Sequence, residues 1–468
     1  MAAVGQYALA RVPTAGRRRV GFLLATLAGL LLATLLGVAL SAYPPTLELA
    51  VAAGVGLVAV LVLALTSHQA AAALGFALLG IILFEPAPTD LVFFVVVAVT
   101  LATGRFRIRR VPVAAVGTIG AFLALNLVSA VEVVDVARAL TFFATTAYVM
   151  VLGVWVAGWV TNRRRAGIAA RGYLVAAVSS AGVGLLALFL PVPGQERIVA
   201  EGRVLALFKD PNVFGPFLVP VALILLEEIL SPRVFRLHRV SKLVLLVVLA
   251  LGVLFSYSRG AWVNLAMGVA MVLFVLALRR GGGRKVMLAV SLVLVAGALV
   301  VGTVSASGSG DFLAERAHVQ SYDSDRLAAW VAGLAPAERY PFGVGPGQFE
   351  GFASISSHST YVRVLAEQGL PGLLAISALL LFTLWAAFGN AVAGRDTFGI
   401  GSAALLGAWC GLLANSFVID TLHWRHLWIV AALIWAGWDR RSTGARRLDS
   451  RNAFGSFAPR ISEQRVRR

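Results

Sequence analysis

Cysteine is nearly absent: the 468 residues contain one, Cys410. A disulfide framework and a thiolate metal site are therefore excluded. Cys410 lies inside an apolar run and reads as a small packing residue. Charge is scarce as well. Asp, Glu, Lys and Arg make up 13% of the chain, about half of the roughly 25% usual in soluble domains, which argues against a large water-soluble core. Acidic residues are the scarcest, 22 against 40 Lys and Arg, leaving a formal net charge of +18. That excess does not imply nucleic acid, because the cations form short clusters between apolar runs rather than one basic face. Walker and dinucleotide motifs are missing. So is any His/Cys/Asp/Glu cluster with ligand spacing; Asp323, Asp325 and Glu315 offer only a loose acidic group. No cofactor and no metal are expected.

What is present is apolar. Hydrophobic residues make up 59% of the chain, and the mean hydropathy is +0.87. Apolar stretches centre on 20–42, 46–66, 69–84, 90–103, 112–131, 138–160, 172–191, 212–230, 241–256, 260–278, 285–304, 367–389, 398–418 and 425–438. A membrane-spanning helix needs about 20 residues. The stretches 69–84 and 90–103 are short enough to be tilted or re-entrant, so the expectation is 12–14 spans. The first run is too long for a signal-peptide core and is read as the first span. The fold class expected is all-α: a polytopic transmembrane helical bundle with one large extracytoplasmic loop, 305–366, containing short helices.

Charge sets the orientation. If the spans alternate, one side collects 30 of the 40 Lys and Arg but only 6 of the 22 Asp and Glu. The basic side is cytoplasmic by the positive-inside rule. Both termini are then inside, and the loop 305–366 is outside the inner membrane. Residues 1–19 form a cytoplasmic segment, 20–200 the N-terminal helices, 201–438 a core containing the loop, and 439–468 a basic tail expected to be disordered or to lie on anionic lipid. Within the loop, Asp325 to Ala337 reads as an amphipathic helix with Leu327, Trp330, Val331 and Leu334 on one face. A Pro/Gly turn follows at Tyr340 to Gly347, then a helical run from His358 to Glu367. Trp424, Trp428, Trp435 and Trp438 are read as markers of the two membrane interfaces, and that belt would also account for His423 and His426.

The chemistry-bearing residues fall on the outer side. Arg259 opens an apolar helix with almost no polar company, and charge at membrane depth is costly unless it faces a cavity or a partner. Two readings stand: a clamp on a diphosphate oxygen, backed by backbone donors around Gly260, or an arginine snorkelling to the headgroups. Arg203 and Arg326 read either as further phosphate ligands or as solvated loop cations. Asp210 and Asn212 flank Pro211 at a helix start, where capping is the plain role. Ser258, Tyr361 and Asp420 are supporting candidates. His358 follows the glycine turn and is the best placed of six histidines for proton transfer near neutral pH.

These pieces, in this order, resemble the O-antigen ligase and polymerase superfamily. The resemblance is carried by GRVLALFKDPNVFGPFL (202–218), SYSRGAWV (256–263), DRLAAWVAGLAPAERYPFGVGPGQF (325–349) and SSHSTYVRVLAEQGLPGLL (356–374), and it covers roughly 200–430. The family often carries Asn where this chain has Ser359. What the resemblance implies is a metal-independent, inverting glycosyltransferase on the outer face of the inner membrane. Its donor would be a glycan on a polyprenyl diphosphate and its acceptor a glycan or glycolipid, with membrane lipids as further partners. By motif, Arg203, Arg259 and Arg326 would hold the diphosphate, and His358 with Arg259 would be catalytic. A transporter or flippase of an anionic or lipid-linked substrate is the alternative, although transporters place their sites near the bilayer midplane.

Overall fold

The computed structural model describes residues 47–279, 283–307, 310, 322–353 and 355–438. The expected first span, Glu315, His318 and the basic tail lie outside them. Every other apolar stretch forms a helix. In chain order these are α1 (Leu47–Thr66), α2 (His68–Ala77), α3 (Pro88–Ala102), α4 (Val113–Ser129), α5 (Val136–Trp159) and α6 (Arg163–Phe189). A one-turn α7 (Gln195–Ile198) and a small hairpin, β1 (Val199–Ala200) with β2 (Arg203–Val204), lead into α8 (Pro211–Leu230). Then come α9 (Arg239–Phe255), α10 (Arg259–Leu278), α11 (Gly283–Ser307), α12 (Tyr322–Arg339), α13 (Thr360–Val392), α14 (Ser402–Val418) and α15 (Arg425–Ala436). The protein is an all-α polytopic bundle. Among the described residues seven helices are long and apolar enough to cross a membrane, and shorter apolar helices of 10–17 residues, α2, α3, α14 and α15 among them, pack between them.

The helix starts follow from local chemistry. Four backbone N–H groups at each N-terminus lack helical partners, and short polar side chains accept from them. Asp135, Asn162, Asp210, Ser258 and Ser359 each do so at the start of α5, α6, α8, α10 and α13.

One seam positions the candidate site. Gly260, Asn264 and Gly268 recur every four residues on α10, and Gly407, Gly411 and Asn415 do so on α14. The two stripes run antiparallel, residue against residue. A Cβ on Gly407 would stand 2.5 Å from the Gly268 carbonyl oxygen, and one on Gly411 would stand 1.9 Å from Asn264 Oδ1. With little hydrophobic driving force between helices in lipid, small residues that let backbones touch hold such pairs together. Charges buried in the bundle are paired, as low polarity requires: Lys242 Nζ lies 2.8 Å from Glu228, and Arg425 bridges to Asp90.

The loop differs from expectation in three respects. Residues 305–307 continue α11 instead of opening the loop. Along α12, Leu327, Val331 and Leu334 are exposed, and of the expected stripe only Trp330 is partly covered; Ala329 and Gly333 face the protein instead, Gly333 lying under Phe349 and Val362. Small residues win that face because it packs closely on neighbouring chain. Finally, α13 begins at Thr360, so His358 precedes it.

The Pro/Gly turn docks on α13 for a backbone reason. Pro371 has no N–H, so the Glu367 carbonyl loses its helical donor, and α13 kinks at Gly369 (φ 66°, ψ −171°). The freed carbonyls of Ala366 and Glu367 accept from Val344 N and Gly345 N, at 3.0 and 2.9 Å. Only glycine fits at 369, since a Cβ there would stand 2.0 Å from the Pro341 oxygen.

The tryptophan belt is corrected for three of its four members; Trp438 is only partly buried. Trp424, Trp428 and Trp435 are buried at 6%, 2% and 1% exposure, and His426 at 2%. Helix α15 runs through the middle of the bundle, so these rings are core packing. His423 shares a 2.8 Å hydrogen bond with Thr146 of α5.

Candidate functional site

The sequence Ser256-Tyr257-Ser258-Arg259-Gly260 turns α9 into α10. Tyr257 takes a left-handed backbone conformation (φ 48°). The Ser258 hydroxyl caps α10, accepting from Ala261 N. Arg259 is thereby fixed at the first residue of α10, half-buried, beside helix N–H groups that favour an anion.

Arg259 and Arg326 line one cavity of about 520 Å³. Its other walls are Gly260 and Val263 of α10, Leu327 and Trp330 of α12, and Ala414, Asn415 and Val418 of α14. The two cations therefore stand 67 positions apart in sequence, and most of the lining between them is apolar. In such surroundings a guanidinium acts on an anion with far less screening than in water.

Arg203 stands next to this cavity without lining it. The hairpin turn, Glu201 and Gly202 at positive φ, directs Arg203 toward the α9–α10 turn. There its Nε donates to the Ser256 carbonyl at 3.1 Å, and its guanidinium donates to Asn212 Oδ1 at 3.1 Å. Asp210 caps α8, accepting from Asn212 N at 2.8 Å. Asp210 thus has the capping role expected at this helix start, whereas the Asn212 side chain orients Arg203.

His358 is half-buried, with a left-handed backbone (φ 45°). Burial lowers its pKa below the ordinary 6.5, and the Arg326 and Arg363 guanidiniums lower it further, while Asp210 and Asp420 pull the other way. The His358 ring thus feels charges from α12, from the start of α8 and from α13, although it does not line the cavity of Arg259 and Arg326. The Tyr361 ring packs 4.5 Å from that of Phe417.

The sequence reading missed the group that holds this segment. Arg363, 5% exposed, pairs with Glu367 at 3.0 Å, with Asp420 at 2.8 Å, and with Glu350; it also donates to Ser356 Oγ at 2.9 Å. Glu367 accepts in addition from Gly347 N at 2.9 Å and Phe349 N at 3.2 Å. Thr360 Oγ1 donates to Asp420 at 3.2 Å. The i,i+4 spacing of Arg363 and Glu367 was a legible signal; their burial was not. Among the described residues no three His, Cys, Asp or Glu side chains form a metal-like group.

Residues 244–377 match the family described as O-antigen ligase. The match runs from within α9 to the middle of α13, taking in the Arg259 turn, Arg326, the glycine turn, His358 and Arg363. The resemblance read from the motifs is borne out over that stretch. Arg203 and Asp210 lie before it, and Asn415 and Asp420 after it. No curated protein matches the chain.

Proposed function

We propose that this protein is a glycosyltransferase of the O-antigen ligase or polymerase type. It takes glycan from a polyprenyl-diphosphate-linked donor on the outer face of the inner membrane and builds a cell-envelope polysaccharide. The observation that carries this reading is the cavity shared by Arg259 and Arg326, with His358 within electrostatic reach of Arg326. A polyprenyl diphosphate is a good leaving group once its developing charge is met by preorganised cations, and here the cations are guanidiniums. Neutral His358 accepts the proton of the attacking acceptor hydroxyl, which displaces the diphosphate from the anomeric carbon and inverts it. The apolar wall of Val263, Leu327 and Val418 suits the first units of the lipid tail.

The direct test supplies purified protein with lipid-linked oligosaccharide and resolves the products. Transfer with loss of the lipid diphosphate is the expected result. A ladder of lengths identifies a polymerase, and a single addition to an acceptor identifies a ligase; an intact donor under all acceptors overturns the reading.

The same assay has a pH signature. The base works only when neutral, so activity falls as pH drops through the His358 pKa, which lies below 6.5. Removing the Arg326 cation raises that pKa. In Arg326→Gln the acidic limb of the normalised profile is expected to move to higher pH, toward 6.5. Removing the Asp210 anion acts oppositely, and Asp210→Asn should carry the limb to lower pH. Shifts of the reverse sign would remove His358 from the role of base.

A further inference from the structure

Asn415 sits on α14 in a run that is otherwise apolar or small, Ala408 to Ala414. It is 1% exposed and lines the same cavity as Arg259 and Arg326. Neither its Oδ1 nor its Nδ2 has a hydrogen-bond partner among the described residues. Its amide lies against the first turn of α10, where a Cβ on Gly260 would stand 3.2 Å from Oδ1. A buried amide left unpaired on both atoms is a standing cost to the fold. Polar side chains in membrane bundles usually offset that cost by bonding to the neighbouring helix, and Asn415 does not. It belongs instead to the wall of the cavity that Arg259 and Arg326 share, next to the first turn of α10.

We infer that Asn415 is a substrate-binding residue, its Nδ2 donating to a non-bridging oxygen of the donor's diphosphate while Arg259 and Arg326 carry the charge. The inference rests on the diphosphate reading of the cavity. A neutral donor complements the two arginines geometrically: it fixes one oxygen against the first turn of α10 without adding a third charge to desolvate. Asn264, four residues further along α10, is also buried and unpaired, but it does not line the cavity, which makes it the matched control.

The experiment uses the full chain in lipid nanodiscs and measures affinity for sugar-free polyprenyl diphosphate, together with the thermal unfolding midpoint. Asn415→Leu is expected to weaken binding roughly 10- to 100-fold, the loss for one hydrogen bond to a charged group, and to raise the midpoint, because an unpaired amide becomes an apolar side chain. Asn415→Asp, nearly isosteric, should weaken binding further by setting a carboxylate against the diphosphate. Asn264→Leu should bind like the parent protein. Parent-like binding by both Asn415 variants overturns the inference. So does a lowered midpoint in Asn415→Leu with unchanged binding by Asn415→Asp, which would make the amide structural. Arg259→Ala, run alongside, separates the two levels: if it binds polyprenyl diphosphate as tightly as the parent, the diphosphate reading itself fails.

Discussion

Replacing Arg259 with Ala is expected to lower glycan transfer by about 10²- to 10³-fold, the loss typical of removing one preorganised group that stabilises developing charge. The structural basis is the position of Arg259 at the first residue of α10, on a cavity that also holds Arg326. In the proposed reaction negative charge grows on the leaving diphosphate as the glycosidic bond breaks, in surroundings where a cation is poorly screened. Arg326 remains in the variant, and Arg203 stays behind its bonds to Ser256 and Asn212, so some transfer should persist. Arg259→Lys keeps the charge and loses the planar fork; it should recover part of the rate but not all of it. The helix start should survive both changes, because Ser258 supplies the cap. A monodisperse protein with an unchanged unfolding midpoint verifies that point. Following donor export in cells separates the enzyme from a transporter: loss of transfer with donor accumulating outside fits the enzyme, whereas donor trapped inside would assign Arg259 to translocation.

The helices were legible because hydropathy alone specifies them: in lipid every backbone polar group must be satisfied within the segment, so a long apolar run has little alternative to a helix. The cations that make the site were legible for the converse reason. Arg259 at the start of an apolar run stands out against its neighbours. What failed was inference from amphipathicity and from tryptophan position. Leu327, Val331 and Leu334 form a stripe, yet α12 turns its small residues inward, because the facing chain comes too close for large side chains. Trp428 and Trp435 look like interface markers until α15 is known to run through the centre of the bundle. Asn415 and Arg363 were overlooked because their meaning is tertiary. One matters for the absence of a partner and the other for having three, and neither condition is written in local sequence.

Arg363→Met should destabilise the folded protein by about 3–5 kcal/mol, the usual range when one member of a buried ion cluster is removed. The methionine has similar reach and no charge, so the loss isolates the guanidinium. Behind it remain three carboxylates: Glu367 with no exposure at all, Asp420 largely covered and Glu350 partly covered. The guanidinium is the ion-pair partner common to all three. Glu367 retains the Gly347 and Phe349 N–H donors, which moderates its share of the loss. A thermal or denaturant unfolding midpoint well below that of the parent, in the same detergent, is the expected readout. The doubly altered Arg363→Met/Glu367→Gln protein provides the check on mechanism. Directly paired residues are not additive: once the buried anion is also gone, the double variant should be less destabilised than the sum of the two single changes. Simple additivity would mean that the cluster is not coupled as its distances imply. The functional consequence follows from connectivity. Arg363 lies five residues after His358 and ties the start of α13 to Glu350, Ser356 and Asp420, so it braces the chain that carries the imidazole. Conditions that keep Arg363→Met folded should still leave transfer impaired, with the rate at saturating donor reduced and donor affinity, which the proposal assigns to Arg259 and Arg326, nearly unchanged.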